Sequence, residues 1–204
     1  MSAALYDTIR ALIREELGRL RVAELGVVQA VEPADPGNYA ATVALPGSDL
    51  VLDAVPLLTP RKGVASVPDV GDLVLVGFVG GDLNHPVVLG SLYNDEDRPP
   101  PNDKGQFIVH LPGGADEGSA LRLELHDSGP QRAVLKVGGA CTLTVQDDDP
   151  VVTVDVGGGA AIEITQSGNV SLQGSGNLTL KGSGNVTLEA GGTLALKGAV
   201  INLN

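Results

Sequence analysis

The C-terminal part of the chain repeats with a period of eight, and that period restricts what it can become. In register it reads Ser167-Gly-Asn-Val-Ser-Leu-Gln-Gly174, Ser175-Gly-Asn-Leu-Thr-Leu-Lys-Gly182, Ser183-Gly-Asn-Val-Thr-Leu-Glu-Ala190 and Gly191-Gly-Thr-Leu-Ala-Leu-Lys-Gly198. Each unit carries two aliphatic residues separated by one small or polar residue: Val170/Leu172, Leu178/Leu180, Val186/Leu188 and Leu194/Leu196. Followed upstream, the spacing recovers Ile162/Ile164 and Val154/Val156, is interrupted at Asp147-Asp-Asp-Pro150, and resumes as Leu143/Val145 and Leu135/Val137. The last pair, Ile201/Leu203, arrives after seven residues, as a terminal unit that departs from the pattern.

Alternation within a unit puts the aliphatic pair on one face of a strand and Ser, Thr, Gln, Lys or Glu on the other. Gly and Asn between units suit a corner. Eight residues therefore make one short strand and one bend, too few for a single-chain β-helix coil. One chain with an inward pair every eight residues buries its aliphatics poorly. Three chains wound together, each supplying one side of a prism, bury them well. The expected C-terminal fold is an intertwined homotrimeric β-helix. Its core is formed by Ile162, Ile164, Val170, Leu172, Leu178, Leu180, Val186, Leu188, Leu194 and Leu196. At about 4.7–4.9 Å per strand, about nine or ten levels give a rod on the order of 45 Å. A calcium-binding nonapeptide roll needs a period of nine and Asp in every turn, and a disordered Gly/Ser linker would not keep strict alternation.

Composition agrees with a thin, ring-free interior: 28 Gly and only 2% aromatic residues against 43% hydrophobic overall. The net charge of −12 argues against unaided nucleic-acid or anionic-membrane binding, which needs clustered Lys and Arg. The single Cys141 excludes an intramolecular disulfide framework and a multi-cysteine zinc site. No run approaches the roughly 20 apolar residues of a spanning helix. Residues 1–20 lack a signal peptide's unbroken apolar stretch, so the chain is expected to be made in the cytoplasm.

Residues 1–21 read as an amphipathic helix, with Leu5, Ile9, Leu12, Ile13, Leu17 and Leu20 at three-to-four-residue spacing. It either packs on its own domain or docks on another subunit. Residues 22–94 change to strand patterns: Leu25–Val31, a turn cluster over Glu32–Asn38, Tyr39–Leu45, Leu50–Leu58, Asp72–Val79 and Val87–Leu92. Five short strands in seventy residues predict a small antiparallel barrel, with an OB fold preferred. Residues 95–106, with Pro99-Pro-Pro101, read as a semi-rigid linker, and residues 107–204 as the octad-repeat spike. The overall expectation is all-β: N-terminal helix, OB barrel, β-helix.

One run in the barrel carries a resemblance: Pro68-Asp-Val-Gly71-Asp72-Leu-Val, Phe78, Gly81-Asp82, then Pro86-Val-Val-Leu-Gly90-Ser-Leu-Tyr93-Asn94, followed by prolines. Gly71, Asp72, Phe78, Gly81, Asp82, Pro86, Gly90, Tyr93 and Asn94 stand where the OB-domain signature of the phage baseplate assembly protein V family and of VgrG-like spikes has its marked positions. With the octads behind it, residues 22–204 resemble that family. The resemblance implies a homotrimeric central spike of a contractile injection machine (phage tail, tailocin or extracellular injection system), made in the cytoplasm and assembled into a tail-like particle. Its OB collar would sit on the baseplate hub and its β-helical needle would puncture the target envelope. This chain is too short to include the hub domain of the larger relatives, so the resemblance implies a separate hub protein. The blunt C-terminal end has no His-x-His metal site and implies a PAAR-type tip protein.

No cofactor, metal or catalytic constellation is expected. Ser-x-x-Lys, Gly-x-Ser-x-Gly and His-Glu-x-x-His are all missing from the sequence. His85, in the signature turn, reads as loop packing, and His110 and His126 as strand residues. Asp147-Asp-Asp149 reads as a solvated loop or, alternatively, a divalent-cation loop. The alternative function is an OB-fold binding module on a trimeric β-helical stalk, like an adhesin. With acidic balance and few aromatic platforms, such a module would not bind single-stranded nucleic acid.

Overall fold

A computed structural model describes residues 3–32 and 39–202 of the chain. The turn expected at 33–38 and the terminal Leu203 lie outside the described residues. The chain divides into two compact units, Met1–Pro100 and Pro101–Asn204.

The first unit opens with helix α1 (Ala3–Arg19) and continues through strands β1 (Ala23–Glu32), β2 (Ala40–Leu45), β3 (Leu50–Pro56), β4 (Leu73–Phe78) and β5 (Pro86–Ser91). The antiparallel order is β3-β2-β1-β4-β5. The sheet curls until its two edges meet. Leu57 bridges Val88 in parallel, and the Leu58 amide donates to the Val88 carbonyl at 2.9 Å. Register shifts between Val28 and Ala30, Ala41 and Val43, and Leu75 and Val76 are bulges that supply the bend. Alternate residues point inward, and Val28, Val43, Leu45, Val55, Val74, Val76, Phe78 and Val88 close the interior. Gly26 is required by this packing. A Cβ there would collide with the Val43 side chain, so β1 and β2 approach more closely than two side chains permit.

The second unit is a seven-stranded antiparallel meander, β6 (Gln106–Leu111), β7 (Leu121–His126), β8 (Arg132–Val137), β9 (Cys141–Gln146), β10 (Val152–Val156), β11 (Ala160–Ile164) and β12 (Val170–Gly174), paired in chain order. Gly138, Gly157 and Gly158, all at positive φ, allow the tight reversals. Where the octad reading expects each strand to bend onward around a prism, residues 106–174 fold back on themselves, and their ladder is made within one chain. From residue 175 to 202 no strand is assigned, although the same alternation continues.

Register turns the aliphatic pairs of the sequence into rows. One row runs Val109, Leu123, Leu135, Leu143, Val154, Ile162, Leu172; its neighbour runs Phe107, Leu125, Ala133, Val145, Val152, Ile164, Val170. Antiparallel pairing sets Ile162/Ile164 opposite Leu172/Val170, whereas β8 and β10 enter the rows as Ala133/Leu135 and Val152/Val154, so that Val137 and Val156 of the sequence pairs fall outside both rows, opposite Cys141 and Ala160. The opposite face carries Ile108, Glu124, Val134, Thr144, Thr153, Glu163 and Ser171 in the equivalent row.

Candidate functional site

Two features of the second unit and one of the first are candidates for function. The first is the aliphatic face. It is extensive and poorly covered: Phe107, Leu125, Val145, Ile162, Val170 and Leu172 are all exposed. The exposure continues through the octads, with Leu178, Leu180, Val186, Leu188, Leu194 and Leu196 open to solvent in the single chain. Ile164 is half-buried. The residues expected to form a shared core are thus brought to one face as far as Leu172, and beyond it they remain unpaired. Exposed large aliphatics in this number on one face make it a candidate association surface.

The second feature, absent from the sequence expectations, is a buried polar cluster on the other face of the same sheet. Glu124 accepts from Arg122 Nε at 2.6 Å and Lys136 Nζ at 3.1 Å through one carboxylate oxygen, and lies 3.0 Å from His126 Nε2 through the other. Arg122 Nη2 donates to the Pro101 carbonyl at 2.9 Å, tying the end of the linker to the strand. Burial opposes the Glu124 carboxylate, but the bonds from Arg122, His126 and Lys136 outweigh it and hold its pKa at about 2. Cross-strand adjacency explains the cluster: Lys136 pairs with Arg122 across β7 and β8 in the register that also sets Glu124 opposite Val134. The signal available in the sequence was alternation in Arg122-Leu-Glu124-Leu-His126, three polar residues on one strand face.

The signature residues of the barrel form turns and packing. They do not converge on a reactive centre. Gly71 has φ +101°, its amide donates to the Val28 carbonyl at 2.8 Å, and Asp72 closes the adjoining turn by accepting the Asp69 amide at 3.0 Å. Phe78 lies in the core. Gly81 has φ +77° and abuts Leu20, so a side chain there would be both strained and obstructed. Asp82 accepts the Asn84 amide and side chain, both at 2.9 Å, and lies 3.0 Å from His85 Nδ1. The bonds from Asn84, backbone first, and then His85 lower its pKa. Pro86 opens β5 opposite Phe78, and Gly90 follows the bulge at Leu89. Tyr93 is exposed, whereas Asn94 accepts the Glu96 and Asp97 amides at 2.7 Å and caps the turn before the prolines. Beside the Asp82–His85 turn, Asp53, Pro56, Val79, His85 and Val87 line an open cavity of about 420 Å³.

Each of the three histidines is bonded through at least one ring nitrogen, and His110 Nδ1 is buried without a partner. His85 bonds Asp82, His110 Nε2 donates to the Ala115 carbonyl at 2.8 Å, and His126 belongs to the cluster. Asp147, Asp148 and Asp149 lie in the β9–β10 connection, where Asp149 accepts the Gln166 amide at 3.0 Å. Among the described residues no three acidic, His or Cys side chains are grouped to hold a metal ion, and no helix is long and apolar enough to cross a membrane. Leu5, Ile9, Leu12 and Ile13 of α1 are exposed, so the described part of its apolar face is not buried against its own unit.

A five-stranded curled sheet closed by a parallel bridge between the end of β3 and β5 defines an OB-type barrel. Residues 54–93 of that barrel match the family described as the type VI secretion system/phage-baseplate injector OB domain. The chain is 40% identical over 70 residues to the type VI secretion system spike protein VgrG5 of Pseudomonas aeruginosa. That match covers 31% of this chain and 9% of the relative. The similarity to an injector OB domain thus falls within the barrel, in the stretch that holds most of the signature residues, and the chain spans about a tenth of the length of the curated relative it matches.

Proposed function

We propose that the chain is the central spike of a contractile injection machine. Three copies associate through the aliphatic face of the second unit and its octads, and the role is structural. The carrying observation is that face itself: two aliphatic rows spanning seven strands, exposed at Phe107, Leu125, Val145, Ile162, Val170 and Leu172 and half-buried elsewhere, continued by octads whose aliphatics are exposed in one copy. Three copies would bury these rows against one another around a narrow axis suited to Val, Leu and Ile. The octads beyond residue 174 would acquire, from other copies, the ladder bonds they lack alone. The outer face would present Ser, Thr, Lys and Glu to solvent. The injector OB domain gives the context. It would form the collar on a separate hub protein, and the exposed apolar side of α1 is available for contact with another subunit. A PAAR-type tip would cover the open strand edges at the C-terminal end. Sheath contraction would then drive the rod through a target envelope, a mechanical task that calls for stiffness and no reactive group.

The test is the solution mass of the full chain, with and without boiling in detergent. The expected species is three times 20.7 kDa, resistant to dilution and to unheated detergent. A monomer under native conditions would refute the spike. Co-expression with candidate tip proteins separately tests the C-terminal cap.

A further inference from the structure

The polar cluster sets the protonation state of one histidine and connects it to the linker. The Asp103 backbone amide can only donate, and it donates to Gln106 Oε1 at 2.9 Å. This orients the Gln106 amide group, whose Nε2 lies 3.2 Å from His126 Nδ1. An amide NH2 can only donate, so Nδ1 carries no proton. The ring proton is on Nε2 and is given to Glu124 Oε2 at 3.0 Å. The His126 side chain is 7% exposed, and each of its nitrogens is satisfied in this neutral tautomer.

We propose that His126 is a proton-sensitive latch for the strap formed by residues 101–103. When the ring is neutral, the strap is held at Asp103 through Gln106; when the ring takes a second proton, that hold is released. The second proton can enter only at Nδ1, where it meets the Gln106 NH2. Gln106 must then turn its amide over, offering Oε1 to the ring and NH2 to the Asp103 N–H. Two donors face each other, and the strap bond is lost. The bond from Arg122 Nη2 to the Pro101 carbonyl does not depend on the ring, so the strap loosens at 103 and stays fastened at 101.

Titratable and charged groups face His126 from its own strand and from both neighbouring strands, and His110 Nδ1 on β6 is buried with no hydrogen-bond partner. Its own strand contributes Glu124 and Arg122; β8 contributes Arg132, its cross-strand partner, and Lys136. β6 contributes His110, whose Nε2–H is committed to Ala115, and the neutral Gln106. Asp127 follows in the turn, Asp103 precedes β6, and Glu117 lies 3.7 Å from Arg122. Glu124, with its pKa held at about 2, stays ionised while an imidazole titrates and keeps accepting from Nε2. An open groove of about 640 Å³ lined in part by Gln106, His126 and Arg132 gives water access to this end of the sheet.

The test is NMR of the full-length protein, with aspartate amides and histidine rings selectively labelled, between about pH 8 and pH 5, where imidazoles titrate. The Asp103 amide shift is expected to follow the His126 ring with one midpoint. Its exchange rate, corrected for intrinsic pH dependence, should rise about 2- to 10-fold across the transition, as for one lost hydrogen bond. In Gln106→Met the Asp103 amide should exchange at the faster rate throughout this range. The proposal is overturned if the wild-type Asp103 amide ignores the His126 transition, if the ring keeps one protonation state over this range, or if the coupling persists in Gln106→Met. The wild-type measurement decides by itself should that variant fail to fold.

Discussion

Replacing Leu188 by Ser tests whether the aliphatic face is an association surface. Leu188 is 64% exposed in the single chain, so about two-thirds of its apolar surface remains for partners to cover. Fully burying a leucine contributes about 1.5–3 kcal/mol, which leaves about 1–2 kcal/mol per copy for association. A trimer contains the substitution three times, giving about 3–6 kcal/mol per assembly, or about 10²- to 10⁴-fold in its formation constant. The assay is sedimentation velocity of the full chain over a dilution series, beside Thr187→Ser as a control on the alternate sequence position. Leu188→Ser should dissociate at concentrations where wild type and Thr187→Ser remain trimeric. Equal behaviour of the two variants would refute the assignment of these aliphatics to a shared core, even if the protein were trimeric through its barrel.

Three further outcomes test other parts of the structure. Gly26→Ala should destabilise the barrel by about 1–3 kcal/mol, because the new methyl meets Val43 and the Ala44 carbonyl; thermal unfolding of the first unit measures it. Phe78→Ala should cost about 3–5 kcal/mol in the same assay, as this ring is 7% exposed within an otherwise aliphatic core. Glu124 has a folded pKa of about 2, below its ordinary 4.5, so its contribution is complete above about pH 4.5 and is lost as pH falls from there towards 2. A shift of this size corresponds to a contribution on the order of 3 kcal/mol. Urea unfolding of wild type should therefore weaken between pH 7 and pH 3 more than that of Glu124→Gln, which starts less stable because Arg122 and Lys136 lose their anion.

The barrel was legible because its signals are local. Gly and Pro punctuate it, and the alternation in Asp72–Val79 directly produces β4, with Val74, Val76 and Phe78 inward. The signature turn was equally readable: Gly81 is marked in the sequence, and its positive φ explains why. The octads disclosed which side chains share a face but not how strands reverse. A period of eight serves an onward bend and a hairpin alike, and Gly157-Gly158 supplies the backbone freedom for either. The polar cluster was missed for a different reason. Its members are separated along the chain as Pro101, Gln106, Arg122, Glu124, His126 and Lys136, and only the register of β6, β7 and β8 brings them together. Periodicity identifies a polar face without saying whether water or another part of the chain covers it.

The two faces of the second sheet are treated in opposite ways, and this favours an obligate association over an incidental one. The polar face near β6–β8 is covered by its own chain, with Arg122 and Glu124 buried and Pro101 fastened to Arg122. Burying charges is costly unless each is paired, and this chain pairs them. The aliphatic face, which could be covered at far lower desolvation cost, receives no comparable covering among the described residues. A chain folding to be monomeric would gain more by laying its strap across the aliphatic rows. Keeping the strap on the charged side leaves Phe107, Leu125, Val145, Ile162, Val170 and Leu172 of those rows exposed, in line with the exposed octads that follow. In the proposed trimer the ion cluster would act as a selector of sides: it makes one face of the sheet self-sufficient and leaves the other for copies of the chain. Neutralising it in Arg122→Met with Glu124→Gln should release the strap from Arg122, detectable as faster amide exchange at Asn102 and Asp103. If the strap stays protected in the double variant, packing rather than charge chooses the face, and the selector role fails.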